Sequence, residues 1–309
     1  MTSHPITPFT FDAADGVAIA AYRSFPSSPA KAMVQIAHGM AEHFGRYAHL
    51  TGRLTAAGYA VYGADHRGHG ASAGAHGQGD FGPRGFAALV DDMAALTRLA
   101  KAETPSRPLA LIGHSMGSFA AQLYLLEHAA ELSALVLSGT AALDELLQGM
   151  IATGKPVGLE LLNAAFEPAR TPFDWLTRDE AEVDAYIADP LCGFAVAEAS
   201  QASMFALGAG ARHDARLAQI RRDLPILIIS GQHDPVTGPG QAFARPLIET
   251  WQAAGLTRID HRVWPGGRHE MFNETCREEV ETDLIDWLEG ALADALPIKG
   301  ARASSPQLI

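Results

Sequence analysis

Cysteine is almost absent from this sequence, which has two of them, Cys192 and Cys276, among 309 residues. Two thiols can build neither a disulfide-stapled fold nor a zinc site made of several cysteines. Basic residues are also scarce, because 23 lysines and arginines stand against 35 aspartates and glutamates and give a net charge of −12. The sequence therefore argues against nucleic acid or an anionic membrane surface as the main partner, since like charges repel.

Long hydrophobic runs are missing too. No uninterrupted apolar stretch approaches the roughly 20 residues that span a bilayer. The segment 1–16 lacks the basic and apolar regions of a secretory signal. Hydrophobic residues still make up 48% of the chain, which is enough for a large core. We therefore expect a cytoplasmic protein built on one large domain.

Short apolar runs alternate with longer segments of helical periodicity, which predicts an α/β fold with a mostly parallel central sheet and helices on both faces. Several predicted strands are apolar nearly throughout, as parallel strands covered on both faces should be. The predicted strands are 17–22, 32–37, 59–63, 109–113, 134–138, 226–230 and 260–264. The predicted helices are 46–57, 85–102, 116–128, 241–254 and 278–292.

The alternation stops within residues 141–223, where helix-like pieces are broken by glycines and prolines and no strand is convincing. A connection of about 80 residues is too long for an ordinary loop. Scattered aromatic residues favour buried contacts over a disordered loop. We predict a helical lid at 141–223, inserted between core segments 1–140 and 224–296, and a small, polar tail at 297–309 that frays.

The motif G-x-S-x-G, which can hold a nucleophilic serine at a sharp strand-to-helix turn, occurs at 113–117 and at 70–74. Ser115 follows a predicted strand and precedes a predicted helix, as the motif requires. Ser72 lies in a glycine-rich stretch with neither element adjoining, so we expect a flexible surface loop there. Ser115 is the predicted nucleophile, and an ordinary helix-cap serine is the alternative.

A serine nucleophile needs a base, and the base needs an acid that orients it. In this architecture the acid precedes the histidine along the chain. Asp234 and His269 each follow a predicted strand at its C-terminal end, where open α/β sheets place their chemistry. Asp234 could instead cap the following helix. His233 and His261 are the rival histidines, but the first adjoins the acid and the second lies within a strand.

Attack by the serine would place negative charge on a substrate carbonyl oxygen. Two main-chain N–H groups usually hold that charge, one from the residue after the nucleophile and one from the loop after the third strand. In this sequence they are the amides of Met116 and Met40.

Several runs together resemble the α/β-hydrolase superfamily and, within it, the monoacylglycerol lipase and lysophospholipase group of serine-aminopeptidase-like hydrolases. The run HGMAEHFGRY at 38–47 is similar to that group's H-G-x-G-E-H-x-G-R-Y, and DHRGHGAS at 65–72 is similar to its D-x-x-G-H-G-x-S. The G-x-S-x-G motif at 113–117 and the segments around Asp234 and His269 lie at the positions of the group's nucleophile, acid and histidine. The resemblance spans residues 11–292.

The resemblance implies the triad Ser115, Asp234 and His269, in agreement with their placement after predicted strands. It also implies that Glu42 and Arg46 lie near a polar headgroup such as glycerol, and we expect His114 to contact the substrate as well. The sequence departs from the group's pattern twice, since Ala41 and Ser118 stand where glycines are usual. Both departures lie beside the predicted oxyanion donors and bear on headgroup specificity.

We predict a serine hydrolase of acyl esters that needs no cofactor and no metal, with monoacylglycerol or lysophospholipid as substrate. The apolar lid suggests a medium or long acyl chain and transient contact with a lipid surface. A general carboxylesterase or a small-substrate aminopeptidase would use the same triad. A hydrolase-fold ligand receptor with negligible turnover is a further alternative, and a haloperoxidase side reaction stays open.

Other patterns point to structure. The G-x-G-x-x-G run at 77–82 has no preceding strand, so a nucleotide site is not expected. His66 and His69 lack a third metal ligand, and we interpret them as satisfied loop residues. Glu270 is interpreted as a structural or capping group, and both cysteines as small packed residues.

Overall fold

A computed structural model describes residues 4–74, 77–154 and 159–293 of the chain. One eight-stranded sheet runs through them in the order β1-β2-β4-β3-β5-β6-β7-β8. Strand β2 pairs antiparallel with β1 and β4, and every other pairing is parallel. The strands are β1 (Thr7–Asp12), β2 (Ala18–Ser24), β3 (Ala32–Ala37), β4 (Tyr59–Ala64), β5 (Leu109–His114), β6 (Ala134–Ser138), β7 (Ile226–Gly231) and β8 (Ile259–Trp264).

Helices cover both faces of the sheet, which confirms the predicted α/β architecture. They are α1 (Ala48–Ala56), α2 (Gly85–Glu103), α3 (Met116–His128), α4 (Leu143–Ala152), α5 (Glu180–Ala188), α6 (Glu198–Gly208), α7 (Arg245–Ala253) and α8 (Arg277–Leu292). Successive side chains of a strand point to opposite faces. Met33 of β3 therefore lies in the core shared with α2 and α3, whereas Val34 lies in the core shared with α1 and α8. None of the described helices is long and apolar enough to cross a membrane.

Two details of the secondary structure differ from the prediction. Strand β1 was not predicted, because it is an edge strand whose side chains are mostly exposed and whose sequence contains no apolar run. The helix predicted from 241 begins only at Arg245, because the chain first makes a short 3-10 turn in which Gly240 has a φ of 58°. The other strands and helices for which a range was predicted match it to within about two residues.

Between β6 and β7 the described residues form helices and 3-10 turns and contain no strand. Helix α6 packs against the glycine-rich segment 77–85 of the core. Gly79 accepts a backbone hydrogen bond from Ala197 at 3.0 Å, and a Cβ on Gly79 would lie 2.4 Å from the carbonyl oxygen of Ala195. The glycine run at 77–82 thus allows close approach of the inserted chain just before α6. The predicted tail at 297–309 lies outside the described residues.

Candidate active site

Ser115 occupies a sharp turn between β5 and α3. Its backbone has a φ of 51° and a ψ of −121°, a strained conformation for a residue with a side chain. The turn depends on Gly117, because a Cβ there would lie 2.3 Å from the carbonyl oxygen of Ala37 on the neighbouring strand. The predicted strand–turn–helix setting of Ser115 is present in the structure.

His269 and Asp234 form a buried hydrogen-bonded pair behind this turn. His269 Nδ1 donates to Asp234 Oδ1 at 2.9 Å, and the same oxygen accepts the amide of Val236 at 2.8 Å. Burial lowers the pKa of His269, but the surrounding carboxylates, Asp234 foremost, together outweigh burial and leave that pKa raised above its ordinary value of 6.5. Nε2 of His269 is buried and has no hydrogen-bond partner among the described residues. This second ring nitrogen of His269 is therefore free to take a proton.

The C-terminal ends of three parallel strands bring these side chains to one edge of the sheet. Ser115 follows β5, Asp234 follows β7, and His269 follows β8. The His114 ring lies close to this group. A Cβ built on Gly39 would be 3.2 Å from both His114 and Ser115, and the His114 and His269 ring centroids are 4.7 Å apart. The three predicted triad residues thus share the C-terminal edge of the sheet.

Met40 and Met116, the predicted oxyanion donors, both line one pocket with Ser115. The main-chain N–H groups of these two methionines donate no backbone hydrogen bond to any described residue. Within the described part of the chain, both amides therefore remain available as donors.

The pocket that reaches Ser115 comprises about 510 Å³ of space not filled by protein atoms, part of which is open to solvent. Apart from Ser115 and Gln201, its walls are apolar. The walls come from the core and from the insertion, and they comprise Met40, Met116, Phe119, Leu143, Leu146, Met150, Leu162, Met204, Phe205 and Val236. A pocket of this composition fits a hydrocarbon chain better than a charged group.

Glu42 and Arg46, the predicted headgroup residues, belong to a buried ion-pair network with Glu270. Arg46 donates to Glu42 Oε2 at 2.9 Å and holds both oxygens of Glu270, at 2.7 Å in one case. Glu42 Oε1 accepts from the amide of Gly39 and from the hydroxyl of Tyr47. Burial raises the pKa of Glu42, but the Arg46 charge and the other groups around this carboxylate together outweigh burial and lower that pKa to about 2. The structural interpretation of Glu270 is consistent with these contacts.

His114 is enclosed within the protein. Its Nδ1 lies 3.3 Å from the hydroxyl of Ser138, and its ring packs between His269 and Tyr47. Burial, together with the neighbouring His269, lowers the pKa of His114 to about 4. His114 therefore stays neutral near the site. It is not among the residues that line the pocket.

Ser72 does not lie in a flexible surface loop, and that prediction is wrong. The residue is 1% exposed and ends a 3-10 turn, and its Oγ accepts the amide of Ala20 at 2.8 Å. Asp65 stabilises the turn by accepting from the amides of Phe44 and Ala71, each at 2.9 Å. A buried carboxylate that satisfies several amides can order a glycine-rich segment that has no apolar periodicity.

The side chains of His66 and His69 are buried, unlike those of residues in a solvated loop. Their rings pack with His38, at centroid distances of 4.3 and 5.2 Å from it. Nε2 of His66 and of His69 finds no hydrogen-bond partner within the described part of the chain. Burial lowers the pKa of His69 to about 3, so its ring is neutral at ordinary pH.

One group of side chains has the composition of a metal site. Ligand atoms of His43, Asp189 and Cys192 lie within 4.8 Å of one another. His43 Nδ1 accepts the amide of Gly45 at 3.2 Å, so the ring proton is on Nε2, which donates to Asp189 at 2.9 Å. The imidazole and the carboxylate therefore satisfy each other by a hydrogen bond. Burial also raises the pKa of the Cys192 thiol to about 12.

Sequence reasoning missed the contribution of the insertion to the histidine loop. The Trp175 ring packs on the His269 ring at a centroid distance of 4.9 Å, and its carbonyl accepts the amide of His269 at 3.3 Å. Nothing local in the sequence marks this contact, because the two residues meet only through the tertiary fold.

Comparison with known proteins places these features in a family. The model of a family described as serine aminopeptidase, S33, matches residues 28–276. A monoacylglycerol lipase of Mycolicibacterium smegmatis is 32% identical over 293 residues, covering 93% of this chain and 99% of the relative. A monoglyceride lipase of Mus musculus is 31% identical over 278 residues, covering 87% and 86%.

Solved structures agree with this placement. A highly thermostable carboxyl esterase from Bacillus coagulans, crystallised in complex with glycerol, superposes with a TM-score of 0.80. It is 28% identical in sequence, and the match covers 93% of this chain and 99% of that one. The chain belongs to the serine aminopeptidase S33 family of α/β-hydrolases.

Proposed function

We propose that this protein hydrolyses monoacylglycerols to a fatty acid and glycerol, with Ser115, His269 and Asp234 as its catalytic triad. The observation that carries the proposal is the apolar pocket that reaches Ser115 beside the buried His269–Asp234 pair. The protein is a carboxylic ester hydrolase. Two relatives are named as lipases of monoacylglycerol, which supports this substrate class.

In the proposed mechanism, Ser115 Oγ bonds to the ester carbonyl carbon while His269 Nε2 takes its proton. The carbonyl oxygen becomes negative and accepts hydrogen bonds from the amides of Met40 and Met116. The bond to the glycerol oxygen then breaks, and His269 returns the proton to that oxygen. Water repeats the sequence on the acyl-enzyme and releases the fatty acid. Asp234 stays ionised and stabilises the imidazolium.

The acyl chain would occupy the apolar pocket, whose walls include Met204 of α6. We expect Met204→Trp to lower kcat/KM for long-chain p-nitrophenyl esters by tenfold or more, because an indole there fills space that the chain needs, at a cost of about 1–3 kcal/mol. Activity on the butyrate ester should change little. Ala206→Trp is the matched control, because Ala206 is exposed on the same helix. Equal loss on short and long esters would contradict an acyl role for the pocket.

The glycerol headgroup would lie near Glu42 and Arg46. Arg46 uses some of its guanidinium N–H groups to bind two carboxylates. Its remaining N–H groups can donate to hydroxyl groups. Arg46→Ala would also leave two buried carboxylates unpaired and cost about 3–5 kcal/mol of stability. We expect the variant to lose more activity on monoacylglycerol than on a p-nitrophenyl ester, which has no glycerol. An identical loss on both substrates would assign Arg46 to structure alone.

A panel of headgroups tests the function itself. The proposal predicts faster hydrolysis of monoacylglycerol than of diacylglycerol, lysophosphatidylcholine or amino-acid p-nitroanilides of matched concentration. Faster release from the anilides would instead indicate a peptidase, and faster cleavage of the lysophospholipid would indicate a lysophospholipase. Labelling of Ser115 by a fluorophosphonate without turnover of any ester would indicate a ligand receptor.

Residues 141–223 would act as the lid over this pocket and contact lipid surfaces transiently. Exposed apolar side chains on the inserted helices, Ile151, Ile187 and Leu207, support this role. Co-sedimentation with neutral phosphatidylcholine vesicles should fall in the double variant Ile151→Ser with Leu207→Ser, and unchanged co-sedimentation would contradict the contact.

A cytoplasmic location is supported by the free thiols Cys192 and Cys276. Cell fractionation tests it.

A further inference from the structure

Trp175 is the side chain of the insertion that meets the proposed catalytic base. It lies before α5 and is 4% exposed. Its ring is inclined by 38° to the His269 imidazole, with the centroids 4.9 Å apart. Its main chain is joined to the same loop, because Trp175 O accepts from His269 N at 3.3 Å and Leu176 O accepts from Glu270 N at 2.7 Å.

Residues 174–178, which we name the strap, are held on both sides of this contact. On one side, the amide of Trp175 donates to Asn163 Oδ1 at 3.0 Å. On the other, Thr177 Oγ1 donates to Asn273 O at 2.9 Å, and Arg178 pairs with the carboxylate of Glu274 at 2.9 Å. The indole therefore has a fixed position relative to the histidine loop.

We propose that Trp175 is a positioning residue for the reaction, which holds the His269 ring against Asp234 and stabilises its protonated form. The proposal rests on the proposed function, in which His269 becomes an imidazolium in each half of the reaction. Two contacts of one residue act together here. The carbonyl of Trp175 fixes the main chain of His269, and the indole face limits rotation of the imidazole.

The stabilisation of charge follows from the ring geometry. An indole carries negative electrostatic potential on its faces, and a cation within about 6 Å of the ring centroid is attracted to it. Other charged and titratable groups also act on the pKa of His269. The carboxylates of Asp234, Glu270 and Glu42 favour the charged ring. His114, 4.7 Å away, has a lowered pKa of about 4 and is neutral when His269 titrates.

Replacement of all tryptophans by fluorinated tryptophans tests the inference without changing side-chain shape. Fluorine withdraws electron density from the indole, so the pKa of His269 should fall stepwise with the number of fluorines, by roughly half a unit in all. The titration is read from the His269 ring signals by NMR. The chain has four tryptophans, and the same series in Trp175→Phe should show no trend, which isolates residue 175.

Substitution adds a kinetic readout. Trp175→Leu should move the acid limb of the kcat/KM profile to lower pH and reduce kcat by about tenfold or more, with KM little changed. Trp175→Phe, which keeps an aromatic face, should recover most of kcat. Trp251→Leu is the matched control, because Trp251 is equally buried on α7. It should lower the melting temperature and leave the pH profile where it is.

The outcomes separate this inference from the function on which it rests. An inactive wild-type protein would overturn the function, while the NMR titration would still show whether the indole acts on His269. An active protein whose His269 titration ignores both fluorination and Trp175→Leu would overturn the role of Trp175 and leave the esterase intact.

Discussion

Ser115→Ala is expected to lower kcat/KM for ester hydrolysis by about 10⁶-fold, because the loss of a nucleophile leaves only oxyanion stabilisation and binding. Fluorophosphonate labelling should disappear with it. The alanine variant should fold, since removal of Oγ changes neither the turn glycines nor the pairing of Ser115 N with Ser138 O at 2.9 Å. The measurement is the hydrolysis of a short p-nitrophenyl ester, with intact-mass analysis of labelling.

The second G-x-S-x-G serine supplies the control. Ser72→Ala removes an acceptor for the amide of Ala20 and should cost about 1–3 kcal/mol of stability. It should keep activity and labelling, because Ser72 pairs with β2 and lies away from the pocket that reaches Ser115. Ester hydrolysis that survives in Ser115→Ala would sink the assignment of the nucleophile.

Asp234→Asn is expected to reduce kcat by about 10⁴-fold while leaving the shape of the site nearly unchanged. The amide cannot stabilise the imidazolium, and it can donate to Nδ1 and fix the wrong tautomer. The pH profile should change in a set direction. His269 must be neutral to act as a base, and its pKa is raised in the wild type, so kcat/KM should fall as pH drops through a value above 6.5. Loss of the Asp234 charge should move this limb to lower pH.

Asp189→Asn is the control for this change, because Asp189 also pairs with a histidine ring, His43, at 2.9 Å. That pair is partly exposed and lies outside the pocket lining, so the substitution should leave kcat and the acid limb unchanged. An acid limb that stays in place in Asp234→Asn would show that another group supplies the base or its orientation.

An element can be predicted from the sequence when residues close together in the chain form it. An element that depends on contacts between distant residues cannot. Apolar strands such as β5 are visible in the sequence because every residue of a doubly covered strand is buried. The edge strand β1 is not, because an exposed strand needs no apolar run. The burial of Ser72 could not be predicted from the sequence for a related reason. It depends on Asp65 and on the amide of Ala20, which local patterns do not connect.

The candidate site divides in the same way. Ser115 and Asp234 follow apolar strands and His269 follows the mixed strand β8, each at a glycine-marked turn, so their placement at one edge of the parallel sheet could be predicted. The part played by Glu270 could not, because its ion pair with Arg46 joins residues far apart in the chain. Arg46 was expected to face a headgroup, and the structure shows its guanidinium already held by two carboxylates.

The shortage of cysteine and of basic residues, the alternation of elements and the placement of three chemical groups after strands were determined by the sequence alone. Each depends on composition or on short-range periodicity. Only the tertiary structure decided that Trp175 packs on His269, that Glu270 completes a network with Arg46, and that core and insertion share one apolar pocket. Those contacts form when segments distant in the chain are folded together, and no local pattern records which of them will meet.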